Sequence, residues 1–466
     1  YDVAQAIRRI KEVRPDVFVF LGGITASYFA GDILETLPEA DAVVMGEGFD
    51  ATLDLLSGLE AGKDLSEVPN LVWRRGGEVV VNPNRLQHPQ QLFDSLSFAD
   101  FSPMRHHDIY IRQFGFPLAY SWERTPEENR ELMTMGRSFF PLYVGSGCNT
   151  ACSYCCGNAG TLKRINGGHR LMWRSHDAVL RDVKLALEFG YRTMALCFDP
   201  IPGTGPYYAE LFRRWKKETP EADLYFECWG LPEPDFVAAF AHCFEPPHSY
   251  LALSPDSGSE VVRRRNKGNF YTNTQFFDCA DRLQELGIQM DVLFSIGFPG
   301  ENTARALETR DMIRKVSDGY PNVRRLMTWA VQLEPGSLQF ENPEHWGIVT
   351  NRKSFQDYVN LHGSRGDAYS ILGYKIRDFF GDERDDSSIE EFEEHLQHFK
   401  CMEFCFLSKD PRVYNDPGMG RAECLQRRSA LAERRGDQLP TLEISAALNC
   451  RQATGQERPG TPRVEI

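Results

Sequence analysis

Apolar and polar residues follow regular patterns through the first sixty residues. Side chains recur at helical spacing at Val3, Ile7, Ile10 and Val13. This spacing is typical of an amphipathic helix. The apolar run 17–21 then predicts a buried parallel strand, which ends in Gly22 and Gly23.

A second unit of the same kind follows. The pattern predicts a helix over 28–36, a strand over 42–45 and a helix over 51–59, and the turn between the last two is Gly46-Glu47-Gly48. Strand, glycine turn and helix repeated in this way are typical of a doubly wound sheet, whose ligand lies at the carboxyl ends of the strands. We therefore predict ligand contacts at the two turns, from Gly22, Gly23, Glu47 and Gly48.

A hairpin and a linker close this first region. Residues 71–74 and 78–81 are strand-like and flank Arg75-Gly76-Gly77, which predicts a β-hairpin. We place the first domain at 1–85. Residues 86–137 are rich in Pro, His and aromatic residues without sustained periodicity, so they are interpreted as a linker that packs against its neighbours.

The pattern becomes regular again over 138–345. Strand candidates lie at 140–144, 193–198, 223–228, 249–253, 290–296 and 326–332. Amphipathic helices are predicted between them, at 177–189, 271–286 and 303–316. The alternation predicts an α/β domain with a parallel sheet, either open or curled as a partial (β/α)6 TIM-like barrel, and places its chemistry at the carboxyl ends of the strands.

The pattern weakens towards the end of the chain. Residues 346–430 contain helical pieces and are predicted to form a mainly helical extension. The last segment, 431–466, is rich in Arg, Glu, Gln, Gly and Pro, a composition that favours a poorly ordered tail.

Composition narrows the class of protein. The 466 residues favour two or three domains, and the apolar runs are shorter than the roughly 20 residues of a membrane span. A net charge of −14 with scattered Lys and Arg argues against a nucleic-acid surface. Twelve cysteines are too sparse for a disulfide scaffold, so we expect a reducing cytoplasm. Because the chain starts at Tyr1 within a helical pattern, we expect it to be a fragment.

Three cysteines lie in one short loop after the first strand of the larger domain. Cys148, Cys152 and Cys155 have the spacing C-x3-C-x2-C, which allows three thiolates to bind one face of an iron-sulfur cluster. Zinc and unligated thiols remain alternatives, although neither Cys156 nor His169 completes a standard zinc knuckle. Three thiolates would leave one iron open for an exchangeable ligand.

The loop, with the aromatic Tyr154 before its last cysteine, resembles the signature of the radical S-adenosylmethionine (SAM) superfamily. Three further segments are similar to motifs that follow later barrel strands in that superfamily, and they occur in the same order. They are Ser254-Pro255-Asp256-Ser257-Gly258-Ser259-Glu260 with Asn266-Lys267-Gly268, then Gly297-Phe298-Pro299-Gly300-Glu301, then Leu333-Glu334-Pro335-Gly336-Ser337. The resemblance covers about residues 138–345.

This resemblance implies a four-iron, four-sulfur (4Fe-4S) cluster on the three thiolates, with SAM bound to the fourth iron and cleaved reductively to a 5'-deoxyadenosyl radical. It also implies cofactor contacts by a set of residues: Tyr154, Asp199, Ser257, Glu260, Gly297, Phe298, Pro299 and Gly300. Ser257 and Glu260 are candidates for ribose or methionine contacts, and Asp199 for the methionine end. Plain turns and caps are the alternative for these positions.

The N-terminal region resembles the cobalamin-binding domain that precedes many such barrels, through Leu21-Gly22-Gly23 and the turn at 46–48. The family's earlier Asp-x-His-x-x-Gly and Ser-x-Leu segments have no counterpart here, so cobalamin is expected only in a longer protein. The implied reaction is methyl transfer from methylcobalamin to an unactivated carbon or phosphorus centre of a small molecule or peptide. The implied electron donor is a flavodoxin or ferredoxin.

Two other functions remain open at this point. One is radical chemistry without cobalamin, such as a rearrangement, and the other is a non-catalytic binding protein stabilised by a metal. An auxiliary cluster on Cys401, Cys405 and Cys424 lacks a second matching motif. The cysteines at 197, 228, 243 and 279 fit small buried apolar positions.

Overall fold

The structure is a computed structural model. It describes residues 2–83, 89–105, 107, 139–166, 171–199, 205–246, 248–331, 333–350, 352–360 and 375–376. The N-terminal region contains α1 (Asp2–Val13), β1 (Phe20–Leu21), α2 (Ile24–Tyr28), α3 (Ala30–Thr36), β2 (Ala42–Val44), α4 (Phe49–Glu60), a 3-10 turn (Leu65–Glu67), β3 (Leu71–Arg75) and β4 (Glu78–Val81).

These strands form one sheet in the order β1-β2-β3-β4. Strands β1 and β2 are parallel, with Leu21 opposite Val43, and the β3-β4 hairpin adds two antiparallel strands. The predicted hairpin is confirmed. The predicted buried strand over 17–21 is wrong in extent and burial, because only Phe20 and Leu21 pair with β2 and both are at least partly exposed at the sheet edge.

The first helix is correctly predicted, but its buried face is not the apolar stripe of the sequence. Ala4 and Ile7 are buried against α3, whereas Val3, Ile10 and Val13 are exposed.

A second, larger unit begins at β5. Its elements are β5 (Phe139–Pro141), β6 (Gly145–Ser146), α6 (Ala159–Ile165), β7 (Met172–Trp173), α7 (His176–Glu188), β8 (Thr193–Leu196), α8 (Gly205–Glu218), β9 (Asp223–Cys228), α9 (Pro234–Cys243), β10 (Tyr250–Asp256), α10 (Glu260–Asn266), α11 (Asn273–Glu285), β11 (Gln289–Ile296), α12 (Thr303–Gly319) and β12 (Val323–Ala330). The order β12-β11-β10-β9-β8-β5 makes a six-stranded parallel sheet.

The predicted α/β class and six-strand parallel arrangement are confirmed. The first strand is shorter than the predicted 140–144 and ends at Pro141. Chain neighbours are also sheet neighbours, which is the strand order of a (β/α) barrel. The carboxyl ends of all six strands therefore lie along one edge.

The two faces of this sheet pack against different sets of side chains. The outer face packs under the helices through residues such as Met194, Phe226 and Val292. The inner face is filled by Tyr225, Tyr250 and Ala252, with Phe139, Ala195 and Leu293 packed against them. Tyr225 and Tyr250 lie deeper along their strands than Glu227 and Asp256, which are at the carboxyl ends.

Part of the predicted linker is described, and its residues contact the barrel. Helix α5 (Gln90–Ser95) is followed by Leu96, whose carbonyl accepts a hydrogen bond from Arg174. Arg174 forms a fully buried ion pair with Asp182 at 2.7 Å, and the Asp182 carboxylate also accepts the N–H of Phe98.

Beyond β12 the structure contains α13 (Leu338–Glu341), β13 (Ile348–Val349), α14 (Phe355–Val359) and β14 (Lys375–Ile376), and β13 pairs with β14 antiparallel. The rest of the predicted helical extension and the tail at 431–466 lie outside the described residues, so those predictions remain predictions.

Candidate functional site

The cysteine loop lies at the carboxyl end of the first barrel strand. Gly147 takes φ +97°, a backbone conformation that favours glycine, and thereby turns the chain into the loop. The Thr150 hydroxyl lies 2.9 Å from Cys148 Sγ and 3.9 Å from Cys152 Sγ, so one small group reaches both sulfurs. The loop therefore gathers the cysteines instead of dispersing them.

Each of the three sulfurs accepts a backbone N–H. The donors are Thr150 to Cys148 at 3.4 Å, Gly157 to Cys155 at 3.3 Å, and Gly268 to Cys152 at 3.2 Å. Such donors stabilise thiolates and so favour metal ligation. Burial raises the pKa of the Cys155 thiol to about 12, although the hydrogen bond from the Gly157 N–H acts to lower that pKa. Ligation to iron would have to supply the free energy of that deprotonation.

The chemistry of this donor set fits an iron-sulfur cluster. In a cubane each thiolate binds a different iron, so the sulfurs need not converge on one ion. Within the ranges that the structure describes, no three His, Cys, Asp or Glu side chains lie close enough to hold a single metal ion. Cys401, Cys405 and Cys424 lie outside those ranges.

Residues far along the chain hold the loop in this shape. Ser153 N–H donates to the Asn266 carbonyl at 2.9 Å, and its hydroxyl donates to the Asn266 side chain at 2.9 Å. The N–H of Gln339 donates to the Ser153 carbonyl at 3.0 Å. A Cβ at position 268 would lie 2.7 Å from the Ala151 nitrogen, so only glycine allows that close approach. The segments after β10 and after β12 thus clamp the same loop.

Glu334 contacts the end of the loop from the segment after β12. Its carboxylate accepts the Cys156 N–H at 3.0 Å. Burial, the Glu334 charge and a hydrogen bond to that carboxylate all raise the pKa of the Cys156 thiol. The Glu334 carboxylate therefore contacts Cys156, which was left out of the predicted cluster ligands. The sequence singled out the Leu333 to Ser337 segment but gave Glu334 no role.

Tyr154 reaches into the mouth of the barrel. Its hydroxyl donates to Asp256 at 2.8 Å, and its ring packs on Phe298 with centroids 5.2 Å apart. Lys267 donates to the same Asp256 oxygen at 2.8 Å. Burial and the Asp256 charge raise the pKa of Tyr154, so the hydroxyl keeps its proton. The sequence missed the roles of Asp256 and Lys267, although both lie in segments it quoted.

Asp256 has an unusual backbone. Its φ of +60° is one that L side chains rarely adopt, and it occurs where β10 ends with a register shift against β11. A strained backbone held by tight packing is common at functional sites. Here it accompanies a carboxylate that is shared by Tyr154 and Lys267.

The turn at 297–301 lies beside Tyr154. Gly297 and Gly300 take φ of +92° and +86°, and Phe298 is buried. The Glu301 carboxylate folds back to accept the Gly297 N–H. Burial raises the pKa of Glu301 to about 8, opposed by hydrogen bonds from the Gly297 and Phe298 N–H groups. Asn266 also donates to the Pro299 carbonyl at 2.9 Å, which ties this turn to the cysteine loop.

Two residues that were predicted to contact a cofactor form hydrogen bonds with other residues of the protein. The Ser257 hydroxyl is fully buried 3.1 Å from the Thr309 hydroxyl of α12. The Glu260 carboxylate accepts the Asn273 N–H at 2.7 Å and so fastens the start of α11. These contacts fit the alternative that Ser257 and Glu260 belong to a turn and a helix cap better than they fit contact with a ribose. A cofactor role for either residue stays a prediction.

Asp199 ends the second barrel strand, where it accepts the N–H groups of Trp229 at 3.1 Å and Gly230 at 3.2 Å. It thereby joins the loops after β8 and β9. The exposed Cys197 accepts the Trp229 indole N–H at 3.1 Å. The expectation of a buried cysteine is wrong at 197 but correct at 228.

A separate pocket of about 420 Å³ opens at the carboxyl ends of β1 and β2. Its lining includes all four residues predicted there from the glycine turns: Gly22, Gly23, Glu47 and Gly48. The remaining lining is mainly apolar, from Phe20, Val44, Phe49, Leu53 and Leu96, with Gly46 and Thr52. The structure thus brings the two turns together as predicted.

This pocket adjoins the barrel. The Ser146 hydroxyl, just before the cysteine loop, donates to the Glu47 carboxylate. A Cβ at position 46 would lie 2.8 Å from the Asn166 amide oxygen, and one at position 157 would lie 3.9 Å from Ile24. The turns after β1 and β2 therefore contact the segments on both sides of the three cysteines.

Residues 142–313 match the family model described as the Radical SAM superfamily. The match contains the cysteine loop and the turns after β10 and β11. These residues therefore form a radical SAM domain.

Solved structures show the same fold. The radical SAM methyltransferase TsrM from Kitasatospora setae, with cobalamin and a [4Fe-4S] cluster bound, superposes with a TM-score of 0.56 at 17% identity, covering 82% of this chain and 71% of that one. The cobalamin-dependent SAM radical enzyme OxsB gives 0.53 at 14% identity, covering 93% of this chain and 60% of that one. At these identities the likeness concerns the fold.

Two curated relatives match over short segments. Both are anaerobic magnesium-protoporphyrin IX monomethyl ester cyclases, at 31% identity over 67 residues for Rubrivivax gelatinosus and over 71 residues for Synechocystis sp.. The matched segments span 14% and 15% of this chain but only 12% and 14% of those proteins. Among the helices that the structure describes, none has the length and apolar character needed to cross a membrane.

Proposed function

We propose that the protein is a radical SAM enzyme in which Cys148, Cys152 and Cys155 hold a 4Fe-4S cluster. SAM bound at the open iron would supply a 5'-deoxyadenosyl radical that removes a hydrogen atom from substrate. The observation that carries this proposal is the cysteine loop itself, because each of its three sulfurs accepts a backbone N–H within a matched radical SAM domain.

The protein's own residues would position SAM and keep water away from the radical. Tyr154 and Phe298 offer an apolar wall beside the loop, and the 297–300 turn presents backbone groups for an adenine. Lys267 and Asp256 form a buried ion pair at the same mouth, suited to the polar end of a cofactor or substrate. Trp229 and Gly230 fix Asp199 nearby.

We further propose that the pocket between β1 and β2 binds cobalamin and that the reaction is methyl transfer to an unactivated carbon or phosphorus centre. Support comes from the pocket's position, since its turns touch the segments that flank the cluster loop. It comes also from the shared fold with TsrM and OxsB, whose structures contain cobalamin. The glycines leave backbone exposed for close approach by a large ligand. The substrate would be a small molecule or peptide, and the electron donor a flavodoxin or ferredoxin.

Anaerobic reconstitution with iron and sulfide tests the first proposal. We expect the cluster absorbance band and 5'-deoxyadenosine formation from SAM under a strong reductant. Both should disappear in a Cys148→Ala, Cys152→Ala, Cys155→Ala variant and persist in Cys243→Ala, a half-buried cysteine away from the loop. Stoichiometric zinc without SAM cleavage would instead indicate a metal-stabilised binding protein.

Cobalamin binding is tested separately on a protein extended upstream of Tyr1. The reconstituted protein is incubated with cobalamin, and the retained corrin absorbance is measured after gel filtration. We expect retention in the wild type and loss when Gly23, which lines the pocket at φ +94°, is replaced by a bulky residue. SAM cleavage that persists without any corrin retention would favour cobalamin-independent radical chemistry.

A further inference from the structure

An exposed basic surface lies on α10, the helix that leads into one clamp of the cysteine loop. Val261, Arg264 and Arg265 are exposed, and their spacing of i, i+3 and i+4 places them on one side of the helix. Arg305 of α12 adds a third guanidinium beside them. It donates to the Gly300 carbonyl, and the Arg265 guanidinium would lie 3.1 Å from a Cβ at position 300. Together, Val261 and these three arginines form the arginine face.

Aromatic rings hold two of these arginines in place. The Arg264 Cζ lies 3.8 Å from the centroid of the Phe270 ring, and the Arg265 Cζ lies 5.9 Å from that of Trp346. A long side chain that is already restricted by a cation–π contact loses less freedom when a partner binds. In the part of the chain that the structure describes, neither Arg264 nor Arg305 forms a salt bridge. Their charges can therefore attract an anionic partner.

The arginine face adjoins one of the three cysteines. Helix α10 ends at Asn266, and two residues later the Gly268 N–H donates to Cys152 Sγ at 3.2 Å. Gly268 and the loop residue Ala151 are both exposed, and neither has a side chain larger than a methyl group. A partner that binds the arginine face can therefore approach the Cys152 side of the loop closely.

We propose that the arginine face is the docking surface for an acidic electron-carrier protein of the flavodoxin kind, which reduces the cluster from the Cys152 side. This inference rests on the proposed radical SAM function. The carrier loses one electron and the cluster gains it, and no bond is formed or broken. Because the whole chain has a net charge of −14, most of its surface repels an acidic protein, and a local basic face determines where that protein docks.

The test measures how fast fully reduced flavodoxin reduces the reconstituted cluster, by anaerobic stopped-flow absorbance at increasing NaCl. The wild-type rate should fall about tenfold between about 0.02 and 0.5 M NaCl, because salt screens the attraction. At low salt the variant Arg264→Glu, Arg265→Glu should be at least about tenfold slower, and its rate should no longer fall with salt. The control Arg213→Glu, Lys217→Glu changes the charge equally at exposed positions of α8 and should keep the wild-type behaviour.

A small reductant separates docking from cluster chemistry. Reduced methyl viologen needs no docking surface, so it should reduce the cluster and support 5'-deoxyadenosine formation equally in all of these proteins. Arg264→Gln, Arg265→Gln, which removes the charge but keeps polar side chains, should give an intermediate rate with flavodoxin. The inference is wrong if flavodoxin reduces the Glu variant as fast as wild type, if it fails to reduce wild type, or if the α8 control slows equally. If viologen yields no 5'-deoxyadenosine in wild type, the proposed function fails instead.

A second measurement concerns the apolar member of the face. Val261→Ser should raise the flavodoxin concentration that gives half the maximal reduction rate about threefold, because the complex buries less apolar surface. The dependence on salt should stay as in wild type, since no charge is changed. Leu286→Ser, at an exposed apolar position after α11, is the control and should behave as wild type. An unchanged half-saturating concentration in Val261→Ser would contradict the assignment of this side of α10 to docking.

Discussion

The cysteine loop and the pocket between β1 and β2 are built in different ways. The loop is held by side chains and backbone groups from distant segments, including Asn266, Gly268 and Gln339. The pocket is formed mainly by glycine turns at the ends of two neighbouring strands and by apolar side chains around them. One site is thus a convergence of remote contacts, and the other is largely a property of local backbone.

This difference indicates how each region should respond to change. A substitution behind the loop, far from any cysteine in sequence, should disturb metal binding. The pocket should tolerate remote substitutions and be sensitive at its own glycines and at the element that supplies its wall. Contacts at Ser146 with Glu47 and at Asn166 with Gly46 are where the two regions meet.

The largest effect is expected from Gly268→Ala. The new Cβ would lie 2.7 Å from Ala151 N and 3.0 Å from Cys152 N, and backbone atoms cannot move aside cheaply. We expect cluster iron to fall to the level of the triple alanine variant. Gly230→Ala is the matched control, since its nearest contact would be an ordinary 3.7 Å. A wild-type iron content in Gly268→Ala would mean that the cysteine loop does not depend on its contacts with distant segments.

A large loss of stability is expected from Asp182→Ala. The variant leaves Arg174 buried without its ion partner and releases the segment at Leu96 to Phe98, which supplies one wall of the pocket. Breaking a buried pair in this way costs about 3–5 kcal/mol. Urea unfolding measures the change.

The exposed pair of Arg213 with Glu210 provides the comparison for that measurement. Glu210→Ala should leave the urea midpoint nearly unchanged, because an exposed ion pair contributes little to stability. Equal losses for the buried and the exposed pair would show that the wall is not fastened through Asp182.

A pH-dependent effect is expected on the barrel side. The pKa of Glu301 is raised from 4.5 to about 8 by burial, so the folded state binds its proton more tightly than the unfolded chain does. Its contribution is fully present below about pH 4.5 and is lost as the pH rises to about 8, at about 1.4 kcal/mol per pH unit. Glu301→Gln should remove this slope from the free energy of unfolding, measured between pH 5 and about 9. An unchanged slope would contradict the assignment.

The smallest effect is expected from Gly46→Ala. The position has φ +75°, and a Cβ there would meet the Asn166 amide oxygen at 2.8 Å, at the junction of pocket and barrel. We expect cobalamin retention about tenfold weaker with cluster iron unchanged. Gly62→Ala shares the positive φ but meets nothing within 4 Å, so it controls for backbone strain. Loss of iron as well would show that the two regions are not independent.

Several features could be predicted from local sequence. Strand-length apolar runs located all six barrel strands, and glycine turns located four of the residues that line the pocket. The prediction was wrong where packing overrides periodicity. In α1, Ile7 of the predicted stripe faces inward together with Ala4, whereas the other members of the stripe, Val3, Ile10 and Val13, are exposed. Periodicity gives the angle between side chains, but the neighbouring element decides which stripe is buried.

The candidate roles of Ser257 and Glu260 illustrate the same limit. Their segment was found correctly as the turn after the fourth barrel strand, yet Ser257 bonds to Thr309 and Glu260 to Asn273. The residues of that segment that reach the barrel mouth are Asp256 and Lys267. A turn signal identifies a turn but does not give the direction of each side chain within it.

The sequence by itself determined the order of strands and helices, the spacing of the three cysteines and the positions of the glycine turns, because each depends on residues close together in the chain. The tertiary structure alone decided that Asn266, Gly268, Glu334 and Gln339 meet the cysteine loop. Those contacts join residues more than one hundred positions apart. They depend on how six strands align their carboxyl ends, which no local pattern encodes.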